Sequence, residues 1–492
     1  MSEQQTSYRQ IMKATSLFGG VQVFGILISI IRSKVVAVLL GTAGMGVMGL
    51  FQTTITLIQS VTGLGLSSSA VRDISEANGT GEAHRVAKVV KILRRWVWAT
   101  GMLGAITTLS LASLLSKWTF GNEAYTWAFV WLSVILLLNA ISNGQNVLLQ
   151  GMRRLKDMAK STLYGSLLGL FTSLPLYYFF GLKGIVPSLI VTATSALGLS
   201  YYFARQIKVE KVEQTYTESY KAGLGMAKLG FVMMLSGFMV TLVSYIVNLF
   251  ISHKGGVAEV GLYRAGWTIT NQYTGLIFTA MGTDYFPRLA AINTDNNKLR
   301  KAINQQAEIA VLLLGPMMVA LIGFVPFLVH LLYTAQFMPI AGMIKWNMLG
   351  MLFKAAAWSM GFSIIAKGDN KLLIYTEIIG NTIVLLFNLV GYTLWGLNGI
   401  GISFAASYLV YFILIFVLVK RKYNIFYHAD FWKLFTLLFL FVLAAFIISL
   451  LHSAILVYTM VTGLFIVAGI YSLKEMNKRV ELKTLLNRII KK

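Results

Sequence analysis

Arg264, Thr268, Asn271 and Gly275 recur at steps of four, three and four within one apolar segment. That is the spacing of a single helical face. Shifted back by 212 positions, the stripe falls on Gln52, Thr56, Gln59 and Gly63, and the flanks agree: Gly49-Leu50-Phe51 matches Gly261-Leu262-Tyr263. A charge at bilayer depth is costly and faces a cavity or a partner. Arg32, in the first apolar segment, raises the same demand. So does Lys354 in the tenth, which shares a face with Asn347, Trp358 and Gly361. Matching carboxylates are scarce, since Glu308 and Glu377 lie toward segment ends and Asp284 closes its segment. The interior is therefore net cationic and selects anions, and the planar donor fork of arginine suits phosphate. Gln52, Gln59, Asn271 and Gln272 are placed to hydrogen-bond polar groups of a ligand beside such an anion, and Trp267 and Trp358 to stack against it. Polar packing between helices is the competing use of these stripes. Their recurrence in both halves, one with an arginine, favours a shared cleft.

Catalysis finds no footing. No paired carboxylates, histidine cluster, glycine-rich phosphate loop or Ser/His arrangement stands out, and with no cysteine there is neither disulfide nor thiolate chemistry. No cofactor or metal is expected. With no nucleotide site, movement of a substrate would draw on a coupling ion, H+ or Na+, or on turnover outside.

The elements that carry these residues are apolar. Hydrophobic residues make up 57% of the 492 and charged residues 12%, against roughly 45–50% and about 25% in soluble domains. Lipid is the solvent for most of this chain. The polar N-terminus lacks the apolar core of a signal peptide. Fourteen segments follow, at about 11–40, 45–72, 86–116, 122–150, 158–181, 184–206, 224–252, 257–286, 300–332, 341–366, 371–395, 398–420, 432–451 and 454–473. Most reach the ~20 residues a helix needs to cross a bilayer. The last two, separated only by Leu451-His452-Ser453, make a hairpin added to a core of twelve.

The chain also repeats itself. Gly181-Leu-Lys-Gly-Ile-Val-Pro-Ser188 matches Gly396-Leu-Asn-Gly-Ile-Gly-Ile-Ser403, and upstream Gly165, Leu170, Leu174 and Tyr177 match Gly380, Leu385, Leu389 and Tyr392 at the same offset. A repeat over half the chain, built of apolar helices, reads as a two-lobed transporter. The expected fold is an all-α integral membrane protein with two pseudo-symmetric six-helix lobes and a C-terminal helix pair. Its divisions are a first lobe at 1–208, a cytoplasmic linker at 209–221, a second lobe at 222–422, an added hairpin at 423–473 and a basic tail at 474–492.

Charge fixes the orientation. With both termini cytoplasmic, only Lys117, Lys183 and Lys254 fall in outer turns, and Arg32, Lys34, Arg264, Lys345 and Lys354 lie inside spans. Every other Lys and Arg lies on the cytoplasmic side, the positive-inside pattern. The net charge of +24 thus reflects topology and anionic lipid rather than nucleic acid. The run His84 to Arg95, followed by Trp96 and Trp98, reads as an interfacial anchor. Lys34 and Lys345 lie near the outer surface, within reach of it by snorkelling. Pro175, Pro316 and Pro326 remove backbone hydrogen bonds inside spans and permit kinks. At the inner ends of the second and eighth spans, Arg72 matches Asp284 at the 212-residue offset. These two, with Asp73 and Arg288, form a candidate cytoplasmic gate. The outer loops are too short to hold the catalytic groups of a glycan polymerase or ligase.

Several weak motifs in a specific order carry a family resemblance over most of the chain. They are Leu39-Leu40-Gly41 with Gly44-Met-Gly46, Leu149-Gln-Gly-Met-Arg-Arg154, Val260-Gly-Leu-Tyr-Arg-Ala265, Phe286-Pro-Arg-Leu289 and the paired Gly-Leu-x-Gly-Ile turns. The chain resembles polysaccharide flippases of the multidrug/oligosaccharidyl-lipid/polysaccharide exporter superfamily, above all the O-antigen translocases. The resemblance implies a bacterial inner-membrane protein that moves undecaprenyl-diphosphate-linked oligosaccharide by alternating access. It also implies a V-shaped cavity lined by helices 1, 2, 7 and 8, including Arg32 and Arg264. Implied partners are the lipid-linked glycan, membrane lipids, and polysaccharide polymerase and assembly proteins. Fourteen spans rather than twelve resemble lipid II flippases instead. An ion-coupled multidrug antiporter of the superfamily would want carboxylates deep in the first lobe, and spans one to six have none near mid-membrane.

Overall fold

Glycine sets the breaks between helices, and one kind of break is made twice. The computed structural model describes residues 24–480, apart from the side chains of Val232, Tyr273, Thr283, Asp284 and Val480. Every predicted segment within that range is helical, and the described residues contain no strand. At the first copy of the repeat Gly181 adopts φ 54° and ψ −132°. At the second, Gly396 adopts φ 56° and ψ −136°. Only a residue without Cβ enters that backbone region cheaply. Eight helices among the described residues are long and apolar enough to cross a membrane, or ten if two bent pairs each count as one crossing. Two of the eight, Leu155–Arg205 and Asn370–Tyr423, run to 51 and 54 residues. Each is long enough for two passes at ~20 residues per pass, and each is interrupted by one of these glycines.

The chain divides into two compact units, Met1–Gly261 and Leu262–Lys492. In the first, a helix over residues 24–39 (α1) leads into α2 (Gly41–Thr62) and α3 (Leu66–Gly79), bent from each other by 53°. Next come α4 (Ala83–Ser110) and α5 (Ala112–Phe120), bent by 69°, then α6 (Thr126–Gly151), α7 (Leu155–Phe180), α8 (Ile185–Arg205) and α9 (Tyr216–Gly255). One end of the unit is sealed by Phe51 packed edge-on against Phe120, Tyr125 and Phe129. The basic end is built on a buried cluster that includes Ile74, Leu93, Trp96, Leu149, Phe203 and Met226.

The connection between α8 and α9 is strapped to α4. Arg95 donates to the carbonyls of Thr215 (2.7 Å) and Gln214 (3.0 Å) and to Ser219 Oγ (2.6 Å), with Tyr216 stacked beneath it. Lys91 reaches the Val212 carbonyl, and Trp96 Nε1 the Ser219 carbonyl at 3.2 Å. Thr215 and Glu218 close a reciprocal capping box at the start of α9. The basic run expected to serve as an anchor thus spends Lys91, Arg95 and Trp96 on its own chain.

The second unit holds most of α10 (Val257–Ala291), then α11 (Asn296–Leu332), α12 (Ile340–Ala366), α13 (Asn370–Tyr423), α14 (Ala429–Ile448) and α15 (Ala454–Val480). Its centre is α12, whose Met343, Ile344, Met348, Met351, Leu352, Ala355 and Ala356 are fully buried. Packing of α12 against α11, α13 and α14 makes it the axis of the unit. Pro316 and Pro326 lie inside an uninterrupted α11, and Pro175 inside α7.

Candidate functional site

On α10 the predicted stripe has an open side and a seamed back. Thr268 Oγ1 donates to the Arg264 carbonyl (2.8 Å) and Asn271 Nδ2 to the Trp267 carbonyl (3.0 Å), so both side chains fold back along their own helix. Thr268, Asn271 and Gln272 are half-buried. A Cβ on Gly275 would meet nothing within 4 Å. Arg264 is also half-buried, and its guanidinium makes no hydrogen bond or ion pair with any described residue. The opposite face, Ala265, Ile269, Thr270 and Thr274, is buried, and Asn347 Nδ2 on α12 donates to Thr270 Oγ1 at 3.0 Å. Asn347, expected on the same face as Lys354, is therefore part of the α10–α12 seam.

Lys354 sits in an aromatic cage. Its Nζ lies 5.5 Å from the ring centre of Phe278 on α10, and 5.7 and 5.3 Å from those of Phe404 and Tyr408 on α13. Attraction of this kind gives the ammonium partners where no carboxylate is near. The cage joins the predicted residues, because Phe404 contacts Trp267 (6.1 Å) and Phe278 contacts Trp358 (5.3 Å). Trp358 packs further on Tyr285 and Phe362. Trp267, Lys354 and Trp358 thus belong to one cationic, ring-lined cluster. Lys345 stands apart: its Nζ donates to the Ser449 carbonyl at 2.9 Å and ties α12 to the end of α14.

In the first unit the polar groups of the α2 stripe and the pocket beside it are neutral. Gln52 and Thr56 are exposed on α2 and hydrogen-bond to each other at 3.5 Å, while Thr53 and Thr54 on the back are buried. Gln59 lines a pocket with Thr62, Ser67, Thr100 and Asn143. Ser67 and Asn143 also line a cavity of about 460 Å³ with Ser68, Asn146, Gln150 and Thr162. The Oδ1 of Asn146 is buried there without a partner. Amides and hydroxyls that both donate and accept are what a ligand rich in hydroxyls requires. The sequence reading missed Asn143, Asn146 and Gln150. Their spacing of three and four along α6 was the available signal.

Arg32 is half-buried on α1, with its Nε buried and without a partner among the described residues. Of the expected gate residues, Arg72 pairs with its neighbour Asp73 at 3.1 Å. Arg288 donates to Gln306 Oε1 at 2.8 Å and lies over the Tyr285 ring. The side chain of Asp284 lies outside the described residues. No group of three or more His, Cys, Asp or Glu among the described residues could hold a metal ion.

Residues 35–342, which span α2 to α11, match the model of a family described as polysaccharide biosynthesis protein. The chain belongs to that family. It is similar to the lipid III flippases of Escherichia coli (strain K12) and Shigella flexneri, 23% identical to each over 401 residues, or 79% of this chain and 94% of theirs. Among solved structures it resembles the lipid II flippase MurJ in an inward closed conformation, with a TM-score of 0.70 at 12% identity over 95% of this chain and 99% of that one. It also resembles an inward-facing multidrug resistance MATE family transporter of the MOP superfamily, with a TM-score of 0.62 at 16% identity over 82% and 94%. The fold of this polysaccharide biosynthesis protein is thus that of MOP-superfamily transporters.

Proposed function

We propose that the protein is a flippase for lipid-linked sugar precursors, carrying an undecaprenyl-diphosphate-linked oligosaccharide from the cytoplasmic to the outer leaflet of a bacterial inner membrane by alternating access. The cargo is an O-antigen or a related surface polysaccharide repeat unit. The observation that carries this reading is the cationic cluster of the second unit. Lys354 is balanced by three aromatic rings in place of a carboxylate, and Arg264, whose guanidinium has no partner among the described residues, lies three residues before Trp267 of the same cluster on α10. Such a site accepts a diphosphate. The neutral amide and hydroxyl pocket of the first unit suits sugar hydroxyls. The lipid III flippases to which the chain is similar fit the same cargo class. A second reading, a lipid II-type flippase, is favoured by the MurJ-like fold across 95% of the chain and by the α14–α15 pair.

The test is Arg264→Ala in cells that depend on this protein for glycan export. Export of the lipid-linked glycan should fall at least about tenfold, since the lost charge-assisted contact is worth about 1.5–3 kcal/mol, with expression and insertion unchanged. Arg264→Lys should recover part of it, because a point charge cannot bind a diphosphate bidentately. Wild-type export by the alanine variant at matched expression would remove Arg264 from the site.

A further inference from the structure

A third cavity in the first unit is lined by none of the polar residues named for the other two. It measures about 860 Å³, lies between α4, α6 and α8 beside Ile207 and Val209 of the connection to α9, and is lined by no residue of α2. That volume lies within the range of about 300–1,000 Å³ typical of small-molecule sites. Its walls are chiefly aliphatic, as Leu93, Leu138, Ile141 and Leu197 illustrate. Two glycines, Gly144 and Gly198, also line it, and a Cβ on Gly198 would meet nothing within 4 Å. The lining runs from Leu137 to Leu148 along α6 and from Thr194 to Arg205 along α8. At about 1.5 Å per residue that is about 16 Å, close to one leaflet of a hydrocarbon core about 30 Å thick.

The polar residues of this cavity gather toward its basic end. Arg94 and Arg205 line it, and neither guanidinium has a hydrogen-bond or ion-pair partner among the described residues. Gln145, also in the lining, has a buried Oε1 without a donor. Trp98 and Tyr201, 49% and 56% exposed, add the amphipathic rings that favour a membrane–water interface. The cavity therefore offers a leaflet-long apolar slot, two guanidiniums without a partner among the described residues, and an acceptor in the same position. A drug-like apolar molecule would leave both arginines and Gln145 unused. A soluble anion would leave the slot unused.

We propose that this cavity binds an anionic phospholipid. One acyl chain lies in the slot, the phosphate sits between Arg94 and Arg205, and a headgroup hydroxyl donates to Gln145. Basic pockets between transmembrane helices bind anionic headgroups on these physical terms. The cavity adjoins the polar pocket next to Gln59 through Leu93, Val97 and Gly144, but takes in neither of that pocket's α2 residues, Gln59 and Thr62.

The experiment uses the full-length protein purified in detergent and titrated with phosphatidylglycerol or with phosphatidylcholine, with bound lipid counted by native mass spectrometry. Phosphatidylglycerol should be retained in preference to phosphatidylcholine. Arg94→Gln with Arg205→Gln should weaken phosphatidylglycerol binding at least tenfold while leaving the lipid-free melting temperature unchanged. Gly198→Phe, which fills open space, should abolish the same binding with both arginines in place. Arg264→Ala should bind phosphatidylglycerol normally even though it fails to export glycan, so failure of this proposal is separable from failure of the transport reading. The proposal is overturned if both cavity variants bind like wild type, or if the two lipids bind equally. It is also overturned if undecaprenyl phosphate displaces phosphatidylglycerol and is itself lost in the double variant, which would make the cavity a carrier site.

Discussion

The α2–α3 pair and α10 carry the same polar stripe at an offset of 212 residues, yet one is bent and the other runs straight through. The difference rests on one side chain. In the first unit Gly63-Leu64-Gly65 breaks the helix, with Leu64 at φ 49° and Gly65 at φ 61°, and the pair bends by 53°. The matching residues of α10 are Gly275-Leu276-Ile277, all within one helix, Val257–Ala291. A β-branched residue is a poor occupant of positive φ, so isoleucine at the third position keeps α10 helical. Glycine at that position also lets α9 approach, for a Cβ on Gly65 would lie 1.9 Å from the Gly230 carbonyl oxygen. Repeated sequence thus conserves the presented face without conserving the backbone beneath it.

Gly65→Val should break this comparison most severely. It adds backbone strain to a collision with main chain, for a loss on the order of 3 kcal/mol, read as a collapse of melting temperature and of folded yield in detergent. The reciprocal Ile277→Gly should cost only about 1 kcal/mol, because nothing in α10 bends there. Equal losses in the two variants would show that α10 also depends on its third position.

The other repeated feature makes the opposite prediction. Gly181 and Gly396 share nearly the same φ and ψ, and a Cβ on either meets nothing within 4 Å. Gly181→Ala and Gly396→Ala should therefore each cost about 1–3 kcal/mol, by strain alone, and match each other within error in thermal unfolding. A clear inequality would mean that one break is held open by its surroundings.

Accessibility sharpens the comparison further. In this cysteine-free chain, cysteines at Gln52, Thr56, Thr268 and Asn271 should react several-fold faster with a membrane-impermeant thiol reagent than one at Ile269, which is 1% exposed. Uniform protection would turn both stripes into packing seams.

The smallest effect separates the ends of the two doubled helices. The second is clasped by Asp369, which accepts from Lys422 and from the Tyr423 hydroxyl and caps Leu372 N at 3.2 Å. The Lys422 bond first, and Tyr423 next, lower its pKa to about 2. The ordinary value is about 3.9. A lowered folded-state pKa gives stability that is present above about pH 4 and lost as pH falls from there toward about 2. With Lys422 half-exposed, the clasp contributes at most about 1 kcal/mol. Asp369→Asn should flatten this part of the stability–pH curve and change little at neutral pH.

What the sequence revealed and what it concealed follow from distance along the chain. The Gly181 and Gly396 breaks were legible because a glycine turn is a local instruction, and it recurs as Gly-Leu-x-Gly-Ile. The stripes were legible because helical periodicity orders residues four apart. The cage around Lys354 was not, since Phe278, Phe404 and Tyr408 come from two other helices and no local pattern sets them beside a lysine. The bend at Leu64 was equally hidden. Gly63-Leu-Gly65 reads as ordinary span interior until the Gly230 backbone is found against it. The partners of Arg95 were hidden for the same reason, as its acceptors lie some 120 positions away.

The strap on α4 means that α9 is held to the first unit by side chains as well as by its peptide link. Arg95 and Lys91 grip carbonyls on both sides of Glu213, and the backbone crossing between Gly65 and Gly230 grips α9 further along. A chain nicked between Lys208 and Glu213 would thus keep its pieces together, as a ribbon stapled at several points survives a cut. Two separately translated polypeptides meeting there should find each other and reassemble.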